Sequence, residues 1–447
     1  MNGLVGYSAY LPAYRLGSDS GVRGRRVVAS FDEDATTMAV EAARRLPADQ
    51  MTSVWWASST PPYADKTNAA AVHAALRLPS TVPAADLVGS ARSTFAGIRA
   101  AIGCGGLVVA SDVRVGKPSS LDERAGGDGA AALLFGGDDV IAEVFGVAGQ
   151  TAELLDRWRD PQRTTGEQWE ERFGFERYAE LVREVADRLL QEAGLGGADH
   201  VVVTSANPGV TKRAGALVKG HLSSSGSPIG FSGAADPLIG LAAVLDVAGP
   251  GETVLVLSAV DGCDGLLLRT TELLPAHRAK RPVAGQLEGG REVPYPTYLS
   301  WRGLLERELP RRPEPDRPAA PPSARAEAWK FGFSGSRCTA CGFLHLPPLR
   351  VCRSCSAVDA MQAVAAAELR GSVATYTVDR LAYSPSPPVV DVVVDFEGGG
   401  RTTLEVADAD PAVVAVGAQV GLVFRRLFTA GSVHNYFWKA RVMGEVV

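Results

Sequence analysis

The chain has 447 residues, 46% of them hydrophobic and 21% charged, with a formal net charge of −5. That length suffices for two or three domains with proper cores, and the slight acidity removes any electrostatic reason to expect nucleic acid as the main partner. The opening MNGLVGYSAYLPAYR lacks the basic start and long apolar run of a signal peptide, and no uninterrupted stretch of about twenty apolar residues is available to span a membrane, so a cytoplasmic protein is expected.

In chain order, the first 272 residues alternate helical patterns with short apolar runs, as an α/β domain does. Helices are predicted at 35–46, 93–102, 176–193 and 237–247, and buried strands at 53–58, 106–111, 130–135, 200–205, 253–258 and 265–270. These fall into two similar series. Each runs helix, strand and a Pro-containing loop (Pro61-Pro62, then Ala206-Asn207-Pro208), then a further helix and two closing strands. The repeat predicts a duplicated domain. Segment 310–326, PRRPEPDRPAAPPSARA, is Pro-rich and charged with almost nothing to bury, and reads as a semi-extended linker. Beyond it, runs at 366–378, 389–395, 402–406 and 419–428 are β-rich and separated by Gly, Pro and Asp, which predicts a small barrel.

Four of the six cysteines form Cys338-x-x-Cys341 and Cys352-x-x-Cys355. Two residues between thiols let a tight knuckle aim both sulfurs at one tetrahedral ion, and two knuckles complete a closed shell. Gly342 suits the turn such a knuckle needs. With no open coordination position, the expected zinc is structural; a single iron is the other ion four thiolates take. His345, between the knuckles, is a spare ligand. Residues 331–447 carry ten cationic and ten acidic side chains, scattered rather than clustered, so the barrel lacks the basic groove that phosphate binding requires.

Several segments carry a resemblance. Phe31-Asp32-Glu33-Asp34-Ala35-Thr36-Thr37-Met38-Ala39-Val40-Glu41-Ala42-Ala43, Thr60-Pro61-Pro62-Tyr63-Ala64, Ala110-Ser111-Asp112-Val113-Arg114 and Asp128-Gly129-Ala130-Ala131-Ala132 resemble the archaeal-type hydroxymethylglutaryl-CoA synthases. So do Asp156-Arg157-Trp158-Arg159 and 238–246, LIGLAAVLD. The resemblance spans roughly residues 3–305 and implies the duplicated thiolase fold, a five-layer αβαβα α/β architecture that is normally dimeric. The tail, from Gly332 through both knuckles, resembles the rubredoxin-like zinc ribbon plus OB-fold proteins that accompany thiolases and are implicated in holding CoA thioesters. The expected division is a thiolase-like N-terminal half at 1–145, a thiolase-like C-terminal half at 146–309, linker 310–328, zinc ribbon 329–365 and OB-fold 366–447.

That resemblance also implies what is missing. The synthases use a cysteine nucleophile, a glutamate acid/base and a histidine, and the matching positions here are Ala91, Ser59 and Ser205; a nearby family asparagine falls at Phe231. An alanine has no lone pair to offer a thioester, so the usual acyl-enzyme does not form there. Cys263, in the Gly-rich loop before the last strand, is either a relocated nucleophile or a small buried thiol. His221, Tyr63 and Asp65 are further acid or base candidates. Cys104 and His73 read as packed helix residues, and His277 and His434 give no signal. Arg114, Lys117, Lys212 and Arg213 are candidate contacts for CoA phosphates, or ordinary solvated charges. The expected role is an acyl-CoA-binding component of a carbon–carbon bond-forming acyltransferase system, a homodimer acting with a catalytic thiolase partner on a CoA or carrier-protein thioester. The alternative is a stand-alone enzyme doing non-covalent aldol, retro-aldol or acyl-transfer chemistry.

Overall fold

The computed structural model describes residues 2–22, 26–169, 171–308, 310, 312–408 and 410–444. They form two compact units. One comprises 1–29, 34–70 and 78–294, and the other 30–33, 71–77 and 295–447.

The first unit is built on ten strands: β1 (Gly3–Tyr10), β2 (Val54–Ser58), β3 (Ala84–Val88), β4 (Gly106–Asp112), β5 (Gly129–Gly136), β6 (Ala142–Thr151), β7 (Ala198–Ser205), β8 (Gly220–Ser225), β9 (Thr253–Ala259) and β10 (Gly262–Thr270). Their order is β3-β2-β4-β5-β1 in the first half and β8-β7-β9-β10-β6 in the second. Numbered within each half, both orders are 3-2-4-5-1. The senses also repeat: β3, β2 and β4 are parallel and β5 and β1 antiparallel, matched by β8, β7, β9, β10 and β6. A single bridge, Leu4 to Ala142, joins the halves. This is the predicted duplication.

The predicted helices form because each carries an apolar stripe for these sheets. Helix α1 (Ala35–Ala43) starts at an Asp34 cap, whose carboxylate accepts from Thr37 N at 2.9 Å while Asp34 N donates to Thr37 Oγ1 at 2.8 Å, a reciprocal arrangement that satisfies two otherwise orphaned donors. It packs on β4 and β5. Helix α2 (Ser93–Cys104) packs on β2 and β4, and α4 (Asp236–Leu245) on β5, β7 and β9; both enter one core with residues of both half-sheets. Helix α3 (Glu171–Glu192) covers the other face of β6 and β10. The layers therefore run α1, sheet, α2 with α4, sheet, α3.

In the second unit, β11 (Ser334–Cys338), β12 (Leu344–His345) and β13 (Met361–Ala365) form a three-stranded ribbon. Five antiparallel strands follow: β14 (Gly371–Asp379), β15 (Val389–Phe396), β16 (Arg401–Glu405), β17 (Gln419–Ala430) and β18 (Val433–Val442), ordered β16-β15-β14-β17-β18. A bridge from Val406 to Ala440 brings the two edges together, closing the sheet as a barrel must. The same unit holds a buried ion cluster. Arg425, fully buried, lies 3.0 Å from Glu33, 2.9 Å from Asp408 and 3.6 Å from Asp32, and Lys439 lies 2.9 Å from Asp32 and 2.8 Å from Glu405. The Pro-rich segment departs from its expected extended form: Ala320–Arg325 is a short helix, because Pro321 and Pro322 fall in its first turn, where a fixed φ helps and the missing N–H is not needed.

Candidate functional site

In the first unit a cavity of about 150 Å³ opens where strand ends of both halves meet. Ser59, Thr60, Ser90, Ala91, Arg114, Asp156, Arg157, Trp158, Arg159, Tyr178, Ala206, Phe231 and Asp261 line it. Among the described residues, no cysteine or histidine does. Two of the family positions, Ser59 and Ala91, thus share one cavity with Phe231. Ser205 ends β7 just behind it: its Oγ donates to Ala259 O at 2.9 Å and accepts from Asn207 N at 3.1 Å, while its neighbour Ala206 reaches the wall.

Asp112, at the end of β4, builds one wall. Its buried carboxylate accepts six hydrogen bonds, from Ser58 Oγ, Ser59 N and Oγ, Thr60 N and Oγ1, and Ala234 N, at 2.7–2.9 Å. Gly233 makes this possible. It sits at φ +62, and a Cβ there would lie 1.9 Å from Asp112 Oδ2.

On the opposite wall, Ala91 precedes the N-terminus of α2, and the following Arg92 ties the Asp261 turn in place. Its guanidinium donates to Asp264 Oδ2 at 2.6 Å, Asp261 O at 2.8 Å and Gln150 O at 2.9 Å. Asp261 adopts φ 47 and accepts from Ser90 Oγ at 3.1 Å. Beside it, Tyr178 OH donates to Asp156 Oδ1 at 3.1 Å and accepts from Asp261 N at 3.3 Å. Burial pushes the Asp156 carboxyl up from its ordinary value, with the Asp261 charge adding to it. Burial also raises the Tyr178 phenol, with the Asp156 charge adding.

The third wall is cationic. Arg114 donates from Nη1 to Ser59 Oγ at 3.0 Å and lies 5.3 Å from the Phe231 ring centroid. Burial, with the Arg157 charge adding to it, pushes its guanidinium down to about 10. Arg157 forks onto both carboxylate oxygens of Asp122, and Arg159 donates to Ser59 O at 2.7 Å. A short strand pair, Arg157–Trp158 against Glu167–Gln168, carries these residues to the cavity.

The remaining candidates lie elsewhere. Cys263 is a strand residue of β10, not a loop residue; the Asp261–Gly262 turn needs no more chain, and a Cβ at Gly262 (φ +124) would meet Gln150 O at 2.1 Å. Its thiol is fully buried in the second-half core, and burial pushes it up. His221 is exposed on β8, the edge strand, and does not line the cavity. Tyr63 and exposed Asp65 do not line the cavity, and Tyr63 N donates to Asn68 Oδ1 at 3.2 Å. Lys117 pairs with Glu167, Lys212 lies 3.7 Å from Glu171, and Arg213 sits 4.3 Å over the Phe175 ring, all exposed. Of these four cations only Arg114 reaches the cavity. Sequence reasoning noted Asp156 and Arg157 only as parts of a motif and passed over Tyr178 and Asp261. The chemical signal was the charge-rich Asp156-Arg157-Trp158-Arg159 run beside a predicted strand series.

In the ribbon, the Sγ atoms of Cys338, Cys341, Cys352 and Cys355 all lie within 4.8 Å of one another. Cys338 and Cys355 are 3.6 Å apart and Cys341 and Cys352 3.5 Å apart, close to the edge of about 3.8 Å expected for thiolates around zinc at about 2.3 Å. Gly342 at φ +80 and Ser356 at φ 62 make the two knuckle turns, with Gly342 N on Cys338 O at 2.8 Å and Ser356 N on Cys352 O at 3.0 Å. The donor set and spacing fit a structural zinc. His345 is buried and is not among the four clustered donors.

Comparison with known proteins follows these divisions. A family model described as the ChsH2 rubredoxin-like zinc ribbon domain matches residues 332–361, and one described as the ChsH2 C-terminal OB-fold domain matches 363–425. The hydroxymethylglutaryl-CoA synthase of Methanothermobacter thermautotrophicus is 29% identical over 345 residues, 68% of this chain and 99% of that protein. That of Aeropyrum pernix is 29% identical over 341 residues, 68% of this chain and 94% of its own. A solved HMG-CoA synthase complexed with CoA superposes with a TM-score of 0.58 at 16% identity, covering 69% of this chain and 91% of that one. The curacin biosynthetic pathway HMG synthase in complex with acetyl donor-ACP gives 0.57 at 17%, covering 67% and 88%. Among the described residues, no helix is long and apolar enough to cross a membrane.

Proposed function

We propose that this chain, a thiolase-fold homologue of the hydroxymethylglutaryl-CoA synthases ending in ChsH2-type zinc-ribbon and OB-fold domains, is the acyl-CoA-binding component of a carbon–carbon bond-forming acyltransferase system. It holds a CoA or carrier-protein thioester in the Ser59–Asp261 cavity, as a homodimer, while a thiolase partner supplies the nucleophilic cysteine. The observation that carries this reading is the cavity lining: position 91 offers a methyl, and among the described residues neither thiol nor imidazole is within the wall. Without a thiol, or a histidine to activate the wall hydroxyls, the family's acyl-enzyme does not form, yet hydroxyls, backbone donors and guanidiniums remain to bind a polar thioester. Solved relatives of the same fold hold CoA and an acetylated carrier protein, which supports this ligand class. Lys212 and Arg213 follow the wall residue Ala206 and are proposed to meet the CoA phosphates, with Lys117 a further such contact. Zinc in the Cys₄ site braces the ribbon and takes no part in chemistry.

The test is to titrate the purified full chain with CoA and acetyl-CoA by calorimetry, then assay CoA release with and without a thiolase bearing an intact cysteine. Binding, silence alone and release on adding the partner support the reading. Turnover by the lone chain rejects it in favour of a second one, stand-alone aldol or retro-aldol chemistry without a covalent intermediate. Asp156 and Tyr178 favour that alternative, since a half-buried carboxyl pushed upward beside a phenol suits a general base. Loss of such turnover in Tyr178→Phe would identify the pair.

A further inference from the structure

Away from the cavity, the outer edge of the second half-sheet carries a hydrogen-bonded row of three side chains. Ser223 Oγ lies 2.9 Å from His200 Nδ1, and His200 Nε2 lies 2.8 Å from Glu252 Oε2. Ser223 comes from β8, His200 from β7 and Glu252 from the residue before β9, and none of them lines the cavity. Strand alternation brings the first two together. Leu222 packs on the second-half core with Val201 and Val203, so Ser223 and His200 both face the other side of the sheet.

The row is braced from both ends. Asp199, beside His200, accepts from Thr253 N at 2.8 Å and Thr253 Oγ1 at 2.7 Å, and its own N–H donates to Thr253 Oγ1 at 3.0 Å. This clamp fixes the neighbours His200 and Glu252 in register. Glu252 O accepts from Thr270 N at 2.9 Å, and its carboxylate accepts from Gly249 N at 2.7 Å. Hydrogen bonds from His200 and Gly249 hold the Glu252 carboxyl below its ordinary value. An ionised carboxylate only accepts, so the hydrogen of the neutral imidazole sits on Nε2 and its lone pair, on Nδ1, faces the Ser223 hydroxyl. That is the order of nucleophile, base and orienting acid. The His200 side chain is 18% exposed, which shields the base, while Ser223 is open to solvent. Among the described residues β8 ends its sheet, so its outer side presents main-chain N–H groups to solvent, the kind of donor that stabilises an oxyanion.

We propose that Ser223, His200 and Glu252 form a second, surface acyl-transfer site that hydrolyses small activated esters through an acyl-Ser223 intermediate. Ser223 Oγ attacks the ester carbonyl carbon as its proton passes to His200 Nδ1. The bond to the leaving alcohol breaks, and the alcohol takes that proton. Water then attacks the acyl-serine and gives a proton to His200, the bond to Oγ breaks, and Oγ recovers the proton as the acid departs. Ester and water become acid and alcohol. Glu252 is a positioning residue, acting through the imidazole it orients. An open site has little binding energy to spend on the barrier, so its substrates are esters whose alcohol leaves readily.

The experiment follows p-nitrophenyl acetate hydrolysis by the full chain and maps, by peptide mass spectrometry, where that ester and a fluorophosphonate probe attach. Both should mark Ser223. Ser223→Ala should lower the rate about a hundredfold, the usual worth of a base-activated nucleophile, and His200→Gln should do the same and abolish both adducts. Glu252→Gln should lower kcat and leave KM unchanged, a split that loss of mere bracing does not produce. Position 223 is exposed, so Ser223→Ala keeps the test readable even where His200→Gln fails to fold. An unchanged rate in Ser223→Ala, an unmodified Ser223 in the native chain, or undiminished labelling in folded His200→Gln each overturns the proposal and leaves the row as a cross-strand brace. Ser223→Ala leaves the Ser59–Asp261 cavity intact, so acyl-CoA binding measured in that variant tests the functional reading separately.

Discussion

Asp112→Asn isolates what the Asp112 carboxylate does for the cavity. The substitution keeps shape and Oδ1, which accepts from Ser58 Oγ, Ser59 N, Thr60 N and Thr60 Oγ1, and turns Oδ2 into a donor. The Ser59 hydroxyl can rotate to accept from that new N–H. Ala234 N–H cannot, since it points at Oδ2 from 2.7 Å. A buried donor left unpaired costs about 1–3 kcal/mol, and the remaining bonds lose their charge assistance, which roughly halves their strength. Together these weaken the wall by about 3 kcal/mol, or about a hundredfold in local opening. Because the effect is a local opening, native-state hydrogen exchange at Ser59, Thr60 and Ala234 is the assay. Exchange at Ala234 within about threefold of the parent would refute the reasoning and mean that the hub is redundant.

Other perturbations probe separate features. Asp236, buried at the start of α4, is pushed by burial from 3.8 to about 6, and its Oδ2 has no partner among the described residues. The stability its neutral form allows is present below about pH 4 and lost as pH rises through about 6, on the order of 3 kcal/mol; Asp236→Asn should flatten that part of the urea-midpoint profile, and unchanged slopes would refute it. Arg425→Met removes a buried charge that lies 3.0 Å from Glu33 and 2.9 Å from Asp408 and should cost about 3–5 kcal/mol, read as a lower thermal midpoint; an unchanged midpoint would show the cluster to be neutral for stability. Metal analysis should find one zinc per chain, and Cys355→Ser should lose it together with exchange protection across 334–365, whereas iron in the native chain would reverse the assignment. Ala91→Cys puts a thiol at the N-terminus of α2, where helix ends favour thiolate; mass spectrometry after incubation with acetyl-CoA should show an acetyl adduct at position 91, absent in the parent.

Much of this protein was legible in one dimension. Runs such as 106–111 and 253–258 are mostly apolar because parallel strands are covered on both faces, so they stand out without a structure, and the repeat of such runs predicted two similar half-domains. The knuckle cysteines needed only their spacing, since a two-residue gap already determines where both sulfurs point. The cavity was a different matter. Ser59, Ala91, Asp156, Tyr178 and Asp261 are scattered over some two hundred positions, and only the crossing of both half-sheets brings them together. Asp112 sits in a strand-end motif that gives no hint of its six partners, and Arg114 is indistinguishable in sequence from the solvated Lys117. Whether a charge is solvated or buried depends on what the rest of the chain lays against it. Local pattern therefore determined the elements and the metal ligands, while packing decided which polar groups share a wall.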